Sequence, residues 1–234
     1  MYTYLLINLF SIFIPIVASF DRRLNFYKQW SSLFPAIFIT LSFFIVWDVY
    51  FTYLGIWGFN PRYLTGINLF NLPMEEWMFF ITIPYACVFT YTSLNYLIKK
   101  DYLGKYARTI SWALVGTLML VGLLNFSKVY TSTTFFLTAL FILLHLFVFR
   151  SNYLGRFYFT YMIILIPFLF VNGILTGSFI DEQVVWYNNS QNLGVRIFTI
   201  PIEDSVYGLL LILMNITLFE WFQSKKSKSI EIGD

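Results

Sequence analysis

The chain has 234 residues, of which 59% are apolar, 22% aromatic and 12% charged, and its mean hydropathy is +0.70. Charged residues at about half the share usual in soluble domains exclude a disordered chain, a basic nucleic-acid binder and an ordinary soluble enzyme. The net charge of +3, from 15 Lys and Arg against 12 Asp and Glu, says little by its size and more by its distribution.

A helix needs about 20 mostly apolar residues to cross the hydrocarbon core. Seven stretches meet that length, which predicts an all-α membrane protein with seven transmembrane helices. The first, Tyr2–Phe20, lacks a basic leader and a small-residue cleavage site and reads as a retained span. The second, Leu33–Leu54, carries Asp48 inside it. The third, Met74–Ile98, opens on Glu75 and Glu76 and holds the only cysteine, Cys87, read as a small packing residue. The fourth, Thr109–Phe126, is the weakest, being short and carrying Gly116 and Gly122, which permit close helix packing. The fifth, Thr131–Phe149, contains the single histidine, His145, expected to pack or to bond between helices. Asn172 lies in the sixth, Phe157–Leu175. The seventh, Ile202–Phe222, opens on Glu203 and Asp204 and is followed by a charged tail, 224–234.

Seven spans put the termini on opposite sides and sort the cations. Arg22, Arg23, Lys28, Lys99, Lys100, Lys105, Arg108, Arg150, Arg156, Lys225, Lys226 and Lys228 fall on one side. Only Arg62, Lys128 and Arg196 fall on the other. The positive-inside rule then predicts a cytoplasmic C-terminus and an outer N-terminus, in a multi-pass protein of the cell inner membrane.

The chain also contains a duplication. Gly66, Pro73, Glu75 and Glu76 recur 128 residues later as Gly194, Pro201, Glu203 and Asp204, and Asn60 recurs as Asn188. Upstream the correspondence loosens, and Asp48 answers to Asn172 after a small length change. The predicted layout is a first three-helix repeat over 1–98, a linking loop and fourth helix over 99–130, and a second repeat over 131–223. Equivalent helices four spans apart run in the same direction, so the repeats are parallel about an axis along the membrane normal. Both acid pairs then start their helices on the same face, and one site draws on both halves.

Ionisable groups inside a span cost about 2.5–3.5 kcal/mol on insertion scales and point to function. Acids after a proline in a first helical turn also suit the helix dipole. Capping explains one acid per helix but not two, twice, in one register. Neighbouring helical residues point about 100° apart, so the two acids of a pair cannot face one spot. Pairing across the axis, for example Glu75 with Glu203, is the expected arrangement. Two such groups side by side in low dielectric do not both ionise, which leaves a carboxylic acid beside a carboxylate. Trp77 and Tyr207 follow directly on the acids, and aromatic faces stabilise a carbocation. No GxGxxG or GxxxxGK[ST] pattern occurs, and no clustered His/Cys spacing suggests a soft metal.

The motifs Pro73-Met-Glu75-Glu76-Trp77 and Pro201-Ile-Glu203-Asp204-Ser-Val-Tyr207 closely resemble those of the small membrane lycopene β-cyclases. Trp47-Asp48, Trp57-Gly-Phe-Asn60-Pro-Arg62-Tyr-Leu-Thr-Gly66 and Val171-Asn172-Gly173 extend the resemblance over nearly the whole chain, in the form of a fused heterodimer. It implies an isomerase (an intramolecular lyase) that takes lycopene from the lipid phase to β-carotene through γ-carotene, without net redox change or cofactor. On that resemblance Glu75, Glu76, Glu203 and Asp204 exchange the proton, with Asp48, Asn172, Arg62, Arg196, Trp77 and Tyr207 in supporting or substrate-binding positions. Relatives that close ε- or C50-type rings leave ring type less firmly implied than reaction class. Partners are carotenoids and membrane lipid, with no nucleic acid; a homo-oligomer is left open.

Two other classes compete. A seven-helix retinal protein needs a lysine inside a span, and the first after the seventh span opens is Lys225 in the tail. A proton-coupled transporter needs acids spread through the membrane depth, whereas these gather toward one face, with Glu220 expected near Lys225 at the other.

Overall fold

The computed structural model describes residues 2–233, with side chains through Lys226; the Lys228 side chain, counted above among the tail cations, lies outside the described residues. Seven α-helices carry the fold: α1 (Thr3–Ala18), α2 (Trp30–Tyr53), α3 (Met74–Leu97), α4 (Ala107–Leu124), α5 (Val129–Leu144), α6 (Leu154–Leu175) and α7 (Ile202–Gly233). Six are long and apolar enough to cross a membrane. The exception is α1: its 16 residues rise roughly 24 Å, short of a hydrocarbon core of about 30 Å. The weak span is thus the first and not the fourth, because a turn of 3-10 helix at Gly104–Tyr106 lengthens α4.

α1 lies against α3, and a buried polar bridge fixes their register. The Asn8 amide donates to the Glu75 carbonyl at 2.9 Å, and the Thr82 hydroxyl donates to Asn8 Oδ1 at 2.7 Å. α4 and α5 form a close antiparallel pair, where Gly122 leaves room for the Phe136 ring. α5 runs on into a π-helical turn, His145–Phe149. There His145 bonds Ser151 at 2.6 Å and Thr217 of α7 at 2.9 Å, the interhelical role expected of it. Glu220 does not meet Lys225: it accepts from the Tyr91 hydroxyl at 2.7 Å, while the Lys225 ammonium lies 3.8 Å from the Trp221 ring centroid. At that depth the buried phenol is the nearer donor.

The two long loops fold into three small antiparallel strand pairs, all at the end of the bundle where α3 and α7 begin. β2 (Asn68–Leu69) pairs with β3 (Leu72–Pro73), and β5 (Arg196–Ile197) with β6 (Ile200–Pro201). Each hairpin turns through two residues whose first, Phe70 or Phe198, has a positive φ (57° and 56°) where glycine is favoured. The amide of Met74 bonds the Ile67 carbonyl at 2.8 Å, and that of Ile202 bonds the Val195 carbonyl at 3.0 Å. The duplicated residues therefore build one device twice: a hairpin that launches a helix.

The third pair joins the two loops to each other. β1 (Trp57–Phe59) runs antiparallel to β4 (Val185–Tyr187), with Gly58 opposite Trp186. Those two positions are themselves 128 residues apart. The flanking bonds, Asn60 N to Val184 O and Asn188 N to Ile56 O, are both 2.8 Å and exchange with one another under the same offset. Gly58 is required here, since a Cβ would enter the Trp186 indole.

Candidate active site

Beneath the β1–β4 pair lies a cavity of about 170 Å³ bounded by α3, α6 and α7. Its wall on α3 runs from Glu76 to Thr90, a rise of about 21 Å at 1.5 Å per residue. The deep walls are apolar, formed by Ile83, Ile164, Pro167, Phe168, Leu211 and Ile212. The hydroxyls found there are already engaged with the backbone, Thr90 with the Ala86 carbonyl at 2.8 Å and Tyr161 with the Ser205 carbonyl. Free polar chemistry is concentrated at the strand-covered end.

That end holds Asp48, Glu76 and Asp204, each no more than 7% exposed. Glu76 Oε2 accepts from the Tyr4 hydroxyl at 2.5 Å, and Glu76 and Asp48 line the same end of the cavity. Asp48 also accepts from the Tyr207 hydroxyl at 2.7 Å, which ties α2 to α7. Asp204 takes three donors: Tyr130 at 2.6 Å, Asn172 at 2.7 Å and Tyr187 at 2.9 Å. The Tyr187 hydroxyl, in the second long loop, is pushed well above the usual tyrosine range by burial and by the charge of Asp204, so it remains a donor. Trp57, Phe59, Phe79 and Tyr207 line this end with aromatic rings.

The first acid of each pair does something else. Glu75 Oε1 accepts from the Thr65 amide at 2.6 Å, and Glu203 Oε1 from the Leu193 amide at 2.7 Å, again 128 residues apart. Glu203 also receives the Thr131 hydroxyl at 2.6 Å. Neither Glu75 nor Glu203 borders the cavity. The expected pairing of Glu75 with Glu203 is therefore replaced by a meeting of Glu76, Asp204 and Asp48. The roughly 100° between successive residues turns one acid to its own hairpin and the next to the shared space.

The other sequence candidates divide. Asn172 and Tyr207 reach the acids, as described. Arg62 forms exposed ion pairs with Asp181 and Glu182, both at 3.4 Å, and Arg196 binds Thr199 and Asn189 within its own loop. Both arginines serve the two long loops and neither borders the cavity. Trp77 stacks on Phe70 at 6.2 Å, on the hairpin side of α3. Sequence reasoning missed Tyr4, Tyr130 and Tyr187. The available signal was that Tyr4 and Tyr130 each stand in the opening turn of the first helix of a half.

The lycopene cyclase family profile matches residues 1–94 and 127–222, which leaves out little but α4 and the loop before it. The chain belongs to the lycopene cyclase family. Bifunctional lycopene cyclase/phytoene synthases from Aspergillus oryzae (33% identity over 81 residues) and Colletotrichum graminicola (33% over 91) are among its relatives. These alignments cover 34% and 36% of this chain, but only 14% and 16% of those proteins. No solved structure matches.

Proposed function

We propose that the protein is a lycopene β-cyclase that closes the ends of lycopene at Asp48, Glu76 and Asp204, giving β-carotene by way of γ-carotene. The observation that carries this reading is the meeting of three buried carboxyl groups, drawn from α2, α3 and α7, at the end of an otherwise greasy cavity. A proton carried by the Asp48–Glu76 pair goes to the terminal double bond of the substrate and leaves a tertiary cation. The neighbouring double bond attacks that cation and closes a six-membered ring, moving the charge onto it. Asp204, with three donors on its oxygens, removes a ring proton and restores a neutral alkene. The proton balance closes between turnovers, when Asp204 gives up its proton to solvent and the Asp48–Glu76 pair takes one up, so substrate and product are isomers and no redox partner enters.

Each other component has a physical part. The ring faces of Trp57, Phe59 and Phe79 stabilise the cation, at about 0.5–2 kcal/mol each. The β1–β4 pair keeps water away, which would otherwise trap the cation as an alcohol. Glu75 and Glu203 hold the hairpins that aim the catalytic acids.

The same reading takes the chain as two parallel three-helix repeats, 1–98 and 131–223, joined by α4. Seven spans, an outer N-terminus and a cytoplasmic C-terminus follow from it. The matched hairpins and the exchange of bonds about Gly58 and Trp186 support that layout. The gathering of the acids at one end, and not along the depth, favours cyclisation over proton transport.

Expression in a lycopene-accumulating bacterium should convert red lycopene to orange-yellow β-carotene, read by chromatography of the extracted pigment. A well-expressed, membrane-inserted protein that leaves lycopene unchanged would refute the proposal.

A further inference from the structure

The duplication places a counterpart opposite every wall of the cavity, yet among the described residues the two sides differ. α3 and α7 correspond at an offset of 128. For α2 and α6 the offset is 124, fixed by one matched pair of bonds, Ile56 N to Phe51 O (3.0 Å) answering to Val184 N to Leu175 O (2.9 Å), and by Asp48 and Asn172, which border the cavity with Glu76 and Asp204. Four extra residues in the second long loop restore the larger offset.

On the α2 side the space is filled. The Phe44 ring packs 5.9 Å from Phe80 and 5.0 Å from Tyr207, and Trp47 lies 5.2 Å from Tyr207, all centroid to centroid. Phe44, Trp47 and Phe80 are buried. On the α6 side Trp47 is answered by Val171 and Phe80 by Gly208. Both line the cavity, and a Cβ on Gly208 would point between the Tyr161 hydroxyl, 3.3 Å away, and the Phe168 ring, 3.9 Å away. Replacing indole by isopropyl and benzyl by hydrogen removes the atoms that close the other side.

We propose that the protein has one working chamber and not two, held open by Val171 and Gly208, and that a substrate with two equivalent ends is processed through it one end at a time. The two-ended substrate rests on the cyclase reading above. The asymmetry of the walls does not. With a single chamber, a polyene whose first end is closed has to withdraw and present the other, so the monocyclic product is a free intermediate.

Gly208→Phe and Val171→Trp restore the filling residues of the first half. Each variant is reconstituted with lycopene, its fold checked by helical circular dichroism and detergent size-exclusion chromatography, and its products separated chromatographically. Both ring closures should fall together, by about a hundredfold or more, leaving unreacted lycopene. A folded variant that closes the first ring as fast as wild type but never the second would place the second closure elsewhere and overturn the single chamber, as would an unchanged bicyclic yield. Should neither variant fold, the wild-type time course under excess lycopene decides. Monocyclic product beyond the amount of protein supports release between closures, and bicyclic product from the first turnover without it overturns the inference. Wild-type protein inert toward lycopene would instead sink the cyclase reading and this inference with it.

Discussion

Glu76→Gln should lower ring closure by about 10²–10⁴-fold, the usual contribution of a positioned general acid. The amide keeps the size of the side chain and an oxygen to receive the Tyr4 hydroxyl, so α1 and α3 should remain joined. What it loses is the acidic proton: an amide N–H does not give its proton to an alkene. Detergent-solubilised protein should therefore elute and unfold as wild type while lycopene persists. Activity within a few-fold of wild type would remove Glu76 from the chemistry and shift the donor to Asp48 alone. Chromatographic assay of membranes matched for protein amount makes the comparison.

Asp204→Asn should have an effect of similar size, about 10²–10⁴-fold on β-carotene formation, but of a different kind. Asp204 sits where Tyr130, Tyr187 and Asn172 all donate, a position suited to receiving a proton. With the amide there, protonation and ring closure proceed at the intact Asp48–Glu76 pair, and the cation then has no base. It loses a proton from another carbon or is captured by water. Glu76→Gln should thus leave lycopene, whereas Asp204→Asn should divert part of it to ring isomers or hydroxylated rings. Resolving the products of the two variants by chromatography and mass spectrometry tests the division of labour; identical product patterns would count against it.

The positions of the helices and of the acids were readable in the sequence for one reason: the 128-residue repeat marks where α3 and α7 begin, independently of hydropathy. The repeat also makes Asn172 the counterpart of Asp48 in the other half, a match that hydrophobicity alone would not suggest. What it does not carry is direction around the helix axis. Glu75 and Glu76 are equivalent in sequence terms, and only the hairpin bond from Thr65 fixes which faces inward. The tyrosines were hidden by abundance: with 17 in the chain, one more near a helix start is no signal until the fold brings its hydroxyl to a carboxylate. Arg62 and Arg196 drew attention as charges near the motifs, but charged side chains in outer loops find loop partners first. Hydropathy likewise misjudged the weak helix, because the glycines of α4 affect packing and not length, while α1 is simply short.

The central claim is that carboxyl groups of this cavity give a proton to the substrate and take another away. Cyclisation in heavy water tests it most directly, because the acid protons exchange with solvent before substrate binds. Mass spectrometry of the product should find one deuterium retained for each ring closed, hence two in the bicyclic carotenoid, with the label formed at a rate that Glu76→Gln suppresses. Cyclised product free of deuterium would contradict the account.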